Sequence, residues 1–236
     1  YETAARGGDP LAERPEPRVT LAGPLLEART AGVTAGGVLG LLGGARLTST
    51  AAAPLIQLHG AHLALDGGYD SSYWSWRPGD LVHIAGGTAA LAGPVLSAED
   101  SPLQVSGGLL NIAQGGRLTS TTTDPLLRLH GGAHGLGSGW APSLLNLLGS
   151  GVDPATGLGT DEVLKTGGPL LELSAPAPGS GAAVELADAG IPSMVIENAL
   201  LAAAAPIVQM LHSSLSTSEA GSGGMAMSVT TRVAWR

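Results

Sequence analysis

From Thr20 onward the chain alternates apolar and polar residues in short bursts, each closed by Gly or Pro. In RLTST, residues 117–121, Leu118 and Ser120 fall on one face of an extended backbone, and Arg117, Thr119 and Thr121 on the other. In PLLRL, residues 125–129, Leu127 and Leu129 share a face and Arg128 opposes them. Such bursts recur about every eight residues, separated by GG, GP, SP and DP pairs that read as turns. Bursts this short do not suit helices, which in isolation are marginal even at about 12 to 15 residues. The strongest competitor is Glu197 to Leu215, rich in helix-favouring Ala and Leu. Pro206 lies inside it and disfavours a helical Ala205. Its PIVQMLH matches PLIQLH and PLLRLH elsewhere, so strands are predicted there too.

The bursts repeat in sequence as well as in pattern. RLTSTAAAPLIQLHGAH, Arg46 to His62, has a near twin in RLTSTTTDPLLRLHGGAH, Arg117 to His134, at an offset of 71 (46 to 117). TLAGPLLEA from Thr20 matches ALAGPVLSA from Ala90, and GGPLLELS from Gly167 is a weaker third copy. Self-similarity of this kind marks a repeat architecture. The predicted fold is all-β: a β-solenoid (β-helix) with about 16 residues and two short strands per coil and with loop insertions on one side. A triangular coil of three strands and about 24 residues is the alternative within the class, and a β-sandwich the alternative outside it. At about 16 residues per coil the repeats make about 13 coils, a rod near 60 Å long at about 4.8 Å per coil.

Residues 1–18 stand apart as an extended arm, with Pro10, Pro15 and Pro17 and no hydrophobic period; residues 19–236 form the solenoid domain. The arm reads as a frayed tail or as a segment lying on a neighbouring subunit. Two stretches break the register, Asp66 to Gly87 and Gly137 to Gly168. They carry Tyr69, Tyr73, Trp74, Trp76 and Trp140, which either cap a widened coil or form partner-contact loops.

Composition narrows the picture further. The chain is 44% hydrophobic yet has no Phe and 37 Gly, so Leu, Ala, Val and Ile must fill a thin, repetitive core. The net charge is −8 and Lys165 is the only lysine, which argues against nucleic acid as a partner. With no Cys there is no disulfide framework, Cys-based metal site or thiol nucleophile. No apolar run of about 18 residues is present, so no helical membrane span is expected. The chain opens on Tyr1 rather than Met, which reads as a processed chain or a piece of something longer.

The GPLL, GGRLTST and PLLRLHGG units, over about residues 20 to 230, resemble the repeats of bacterial secreted β-helix proteins, the filamentous-haemagglutinin-like and autotransporter-passenger-like surface proteins. The resemblance implies an exported, extracellular or cell-surface bacterial protein used as a stalk, adhesin or fibre. It carries no catalytic residue with it.

Candidate chemistry is sparse. His59 with His62 and His130 with His134 are incomplete as a zinc set and read as turn histidines bonded to backbone. Asp66, Asp70, Asp153, Asp161 and Glu162 offer loop carboxylates, but without a known calcium-binding turn. Glu99 with Asp100, and Asp161 with Glu162, are adjacent and point to opposite faces, which does not suit paired acid–base catalysis. Thr48–Thr50 and Thr119–Thr123 read as exposed strand residues rather than an ice-binding face. No catalytic residue, cofactor or metal is therefore expected, and no enzyme. The function expected is structural: a subunit stacking head to tail with copies of itself into a fibre, stalk or matrix filament. Its contacts would come from Pro10, Pro15, Pro17, Val233 and Trp235. The alternatives are a glycan-binding or cell-surface adhesin using the Trp-rich insertions and, less favoured, a β-helical carbohydrate-active enzyme.

Overall fold

The computed structural model describes residues 16–70, 75–77, 79–137, 144–151, 161–175, 183–186, 194–217 and 227–230. Among them there is no helix. Short strands, mostly of four residues, are dealt in strict rotation onto four parallel sheets. Side 1 holds Arg18–Leu21, Arg46–Ser49, Thr88–Leu91, Arg117–Ser120, Asp161–Thr166 and Ala199–Ala203. Side 2 holds Leu26–Arg29, Ile56–His59, Leu96–Glu99, Leu127–His130, Leu171–Ser174 and Val208–Leu211. Side 3 holds Gly32–Ala35, His62–Leu65, Leu103–Val105, Ala133–Leu136, Ala183–Leu186 and Ser214–Thr217. Side 4 holds Leu39–Leu42, Val82–Ala85, Leu110–Ala113, Leu145–Leu148, Met194–Glu197 and Met227–Thr230. The protein is a β-solenoid, as the repeats predict, and the described strands make six coils.

The coil itself is larger than predicted. Arg18 pairs with Arg46, 28 positions on (18 to 46), and four strands pass before the chain regains its own sheet. The spacing of about 16 is the distance from side 2 to side 4, half a turn. Alternation locates the strands and their faces, but the number of corners that completes a turn is set by corner geometry. Six coils at about 4.8 Å make a stack of about 29 Å, half the predicted rod and correspondingly broader. The twin segments beginning at Arg46 and Arg117 are not neighbours either: Thr88 pairs with both, so alternate coils are alike.

Two corners are turned by left-handed residues. Between sides 2 and 3 the first corner residue is Thr30, Gly60, Asp100, Gly131 and His212 in five of the coils, with φ from 46° to 68°. Between sides 4 and 1 the same conformation falls on Gly43, Gly86, Gln114 and Asn198, among others. The corner between sides 1 and 2 is marked by a proline in every coil: Pro24, Pro54, Pro94, Pro125, Pro169 and Pro206. A short corner lets each four-residue strand face its two inward side chains to the axis.

Those inward residues stack in columns. On side 2 one column runs Leu26, Ile56, Leu96, Leu127, Leu171, Val208, and the next runs Ala28, Leu58, Ala98, Leu129, Leu173, Met210. Leu58, Leu96, Leu129 and Leu173 are wholly buried. At about 1.5–3 kcal/mol for each large aliphatic side chain removed from water, this column packing stabilises the solenoid.

The insertions depart from the expectation of a single side. The first contains an antiparallel hairpin, Gly68–Asp70 with Ser75–Arg77, between sides 3 and 4. The second is not one insertion: Leu145–Leu148 is an ordinary rung of side 4, paired with Leu110–Ala113. Extra chain lies before and after it, at two different corners. A solenoid whose core is closed by its strands tolerates lengthening at any corner.

Candidate functional site

The outer surface of side 2 is a ladder of charged and hydrogen-bonding side chains. One column runs Arg29, His59, Glu99, His130, Ser174 and Leu211; beside it run Glu27, Gln57, Ser97, Arg128, Glu172 and Gln209. His59 Nδ1 lies 2.9 Å from Glu99 Oε2, and His130 Nδ1 lies 3.0 Å from Ser174 Oγ. Arg128 Nε donates to Glu172 Oε1 at 3.1 Å, and Ser174 Oγ donates to the same oxygen at 3.0 Å. So His59 and His130 meet side chains rather than the backbone predicted for them. They are only two rungs apart, with Glu99 between them, because the coil is wide and the twins alternate.

His134 does bond to backbone, Nε2 donating to the Gly131 carbonyl at 2.9 Å, but it is no surface turn residue. It points inward on side 3, is 2% exposed, pairs with Val184 and occupies a core row. Burial holds its pKa below the ordinary value, partly offset by the Gly131 bond. Its Nδ1 is buried with no partner among the described residues. His62, by contrast, is exposed.

Asp80 is the centre of a second polar cluster, on side 4. It is 3% exposed, and its carboxylate accepts from Gly108 N–H at 2.8 Å and Asn111 Nδ2 at 2.9 Å, with His83 Nδ1 at 3.0 Å. Asn146 Nδ2 in turn donates to Asn111 Oδ1 at 3.1 Å. Sequence reasoning missed this cluster. The signal was there: LLN recurs at 109–111 and 144–146, one coil apart, which stacks the two asparagines.

Asp161 clamps the corner that leads into side 1. Its Oδ2 accepts from the Ser150 hydroxyl and amide, both at 2.8 Å, and from Gly151 N–H at 3.0 Å. The Ser150 hydroxyl bond first, and then the backbone bonds and nearby Arg117, lower its pKa. Glu162 instead pairs with Lys165 at 3.7 Å. Among the described residues no three His, Asp or Glu side chains are grouped to hold a metal ion.

A groove of about 390 Å³ runs along side 3, lined by Ala64, Gln104, Gly135 and Glu185 from four successive coils and by Asp66 and Ser106 at its rim. The Gln104 amide lies across Gly135, where a Cβ would come 2.5 Å from its Oε1. Both register-breaking stretches start here, at Asp66 and Gly137. The backbone pairs Tyr69 with Trp76 across the hairpin that rises from Gly67. Tyr73, Trp74 and Trp140 lie outside the described residues, as do Pro10, Pro15, Val233 and Trp235. The Pro17 carbonyl accepts from Arg46 N–H at 2.8 Å, and Glu16 pairs with Arg46 at 2.7 Å, so this part of the arm is bound to its own solenoid.

Fold and surfaces together define a four-sided parallel β-solenoid with polar outer ladders. Compared with protein-family models, curated proteins and solved structures, the chain matches none of them.

Proposed function

We propose that this chain is a structural protein of the bacterial exterior, a β-solenoid subunit that stacks end to end into a fibre, stalk or matrix filament. One observation carries the reading. All four sheets finish at each end in a parallel edge strand with no further rung among the described residues. Such edges template pairing with another chain. The terminal coils add apolar surface: Val19 and Leu25 are 50% and 41% exposed in the first, Met210 and Leu211 47% and 56% in the last. A head-to-tail contact between unlike ends does not close and so builds filaments. Sedimentation velocity over a concentration series, with negative-stain imaging, tests this. Linear polymers that lengthen with concentration are expected; a monomer throughout rejects it.

A second reading, a glycan-binding adhesin, is favoured by the side 3 groove. Asp66, Gln104 and Glu185 line it with groups that can bond sugar hydroxyls. Aromatic residues such as Trp76 sit in the adjoining hairpin. A glycan array probed with the parent and with Trp76→Ala tests it: retained signals lost in the variant support it, and a blank array removes it.

A further inference from the structure

Within the solenoid, joints between coils follow rules that the first and last described coils continue. The corner before side 2 is short in four coils, where the residue preceding proline is Gly23, Gly93, Gly168 or Ala205. A Cβ built on Gly93 would lie 2.5 Å from the carbonyl oxygens of Ala52 and Ala53, in the coil before. One built on Gly168 would run into the carbonyl oxygens of Thr123 and Asp124. Where the preceding corner is the longer kind, as before Gly93 and Gly168, this position faces it at close range. Gly23 occupies the same position in the first coil, and a Cβ there would meet no described residue within 4 Å.

The last coil offers matching features. Its short corner, Ala204, Ala205 and Pro206, ends in the same Ala-Ala-Pro as the longer corner, Ala52, Ala53 and Pro54, that covers Gly93. Leu55 N–H donates to the Pro94 carbonyl at 2.9 Å and Leu126 N–H to that of Pro169 at 2.8 Å. Ile207 stands where Leu55 and Leu126 do, and Pro24 where Pro94 and Pro169 do. In the inner column of side 2, the small Ala98 sits on the large Leu58; Met210 and Ala28 would repeat that step. On the outer face Gln209 would meet Glu27 and Leu211 would meet Arg29, with no like charges opposed.

We infer that the partner at this end is a second copy of the chain, stacked unrotated, side on like side, so that Gly23 of one copy closes on the Ala204–Ala205 corner of the next. Only this orientation puts proline corner on proline corner. The inference rests on the stacking reading above and specifies its joint.

The chain has no Cys, so introduced thiols are unique reporters. Glu27→Cys with Gln209→Cys places the two thiols on residues that become Cα neighbours only across the joint, near enough for a disulfide. Mild oxidation is expected to give a covalent ladder of multimers. Thr34→Cys with Gln209→Cys, which reports a joint rotated by one side, is expected to give none. Separately, Gly23→Val inserts a side chain larger than any found at a short corner. It is expected to abolish polymers while leaving the monomer's melting temperature unchanged, whereas Gly93→Val lowers that temperature. Filaments that cross-link through Thr34, or that persist in folded Gly23→Val, overturn the register while stacking survives. If Gly23→Val fails to fold, the cysteine pairs alone decide. A parent that stays monomeric overturns both.

Discussion

The Nε2 of His134 lies 2.9 Å from the carbonyl oxygen of Gly131, on a buried ring whose residue pairs with Val184 of the next coil. A carbonyl can only accept, so Nε2 carries the proton and the neutral ring leaves Nδ1 without one. Charging the ring would place a second N–H in the core with no acceptor among the described residues.

Stability should therefore fall on acidification. Above 6.5 the histidine is neutral in both the folded and the unfolded chain, and nothing is lost. As pH drops through 6.5 the unfolded chain binds a proton that folded His134 resists, because its pKa is lowered, and the folded state loses ground. Urea melts at pH 7.5 and 5 should show a smaller pH-dependent loss in His134→Leu than in the parent. Equal losses in the two proteins would contradict this origin.

Leu129 is wholly buried between Ala98 and Leu173, whereas Thr121 is exposed at a corner. Leu129→Ala should cost about 2–5 kcal/mol, and Leu129→Asp should disrupt the neighbouring coils. Thr121→Asp should stay within about 0.5 kcal/mol of the parent. Chemical denaturation of the three variants checks the inward and outward assignment. Comparable damage at both positions would reverse it.

Asp80 satisfies Gly108 N–H and the Asn111 amide at once. Asp80→Ala strips two buried or half-buried donors of their acceptor, at about 1–3 kcal/mol each. A double-mutant cycle with Asn111→Ala should show coupling well outside error, since the two side chains share one network. Additive effects would mean that the Asp80–Asn111 bond contributes little.

Alternate coils are alike, so deletions should respect pairs. Removing residues 46–116 joins Ala45 to Arg117, the twin of Arg46, and preserves the alternation. Removing only 88–116 sets Leu129 against Leu58 and takes Glu99 from between His59 and His130. The longer deletion is expected to keep a cooperative β-sheet melt and the shorter one to lose it, as read by circular dichroism. The reverse order would show that the pairing of coils is not structural.

Much of this protein is written in its sequence because a strand has a period of two. That period placed the segments and turned Leu118 and Leu129 inward and Arg117 and Arg128 outward, as the structure has them. It also carried the parity that turns His134 inward with Leu136, although a histidine beside Gly-Gly reads more readily as a turn residue. What local pattern does not contain is the angle at each corner. Only the folded chain sets four sides to a turn, puts Thr88 between Arg46 and Arg117, and brings Asp80 to Asn111 across 31 positions. Strand periodicity acts between adjacent residues, and propensity and burial enforce it one burst at a time. Which burst lies above which depends on how the corners sum to a closed turn. That sum is a property of the whole coil, so the neighbours across coils, and the surfaces they build, were decided by tertiary structure alone.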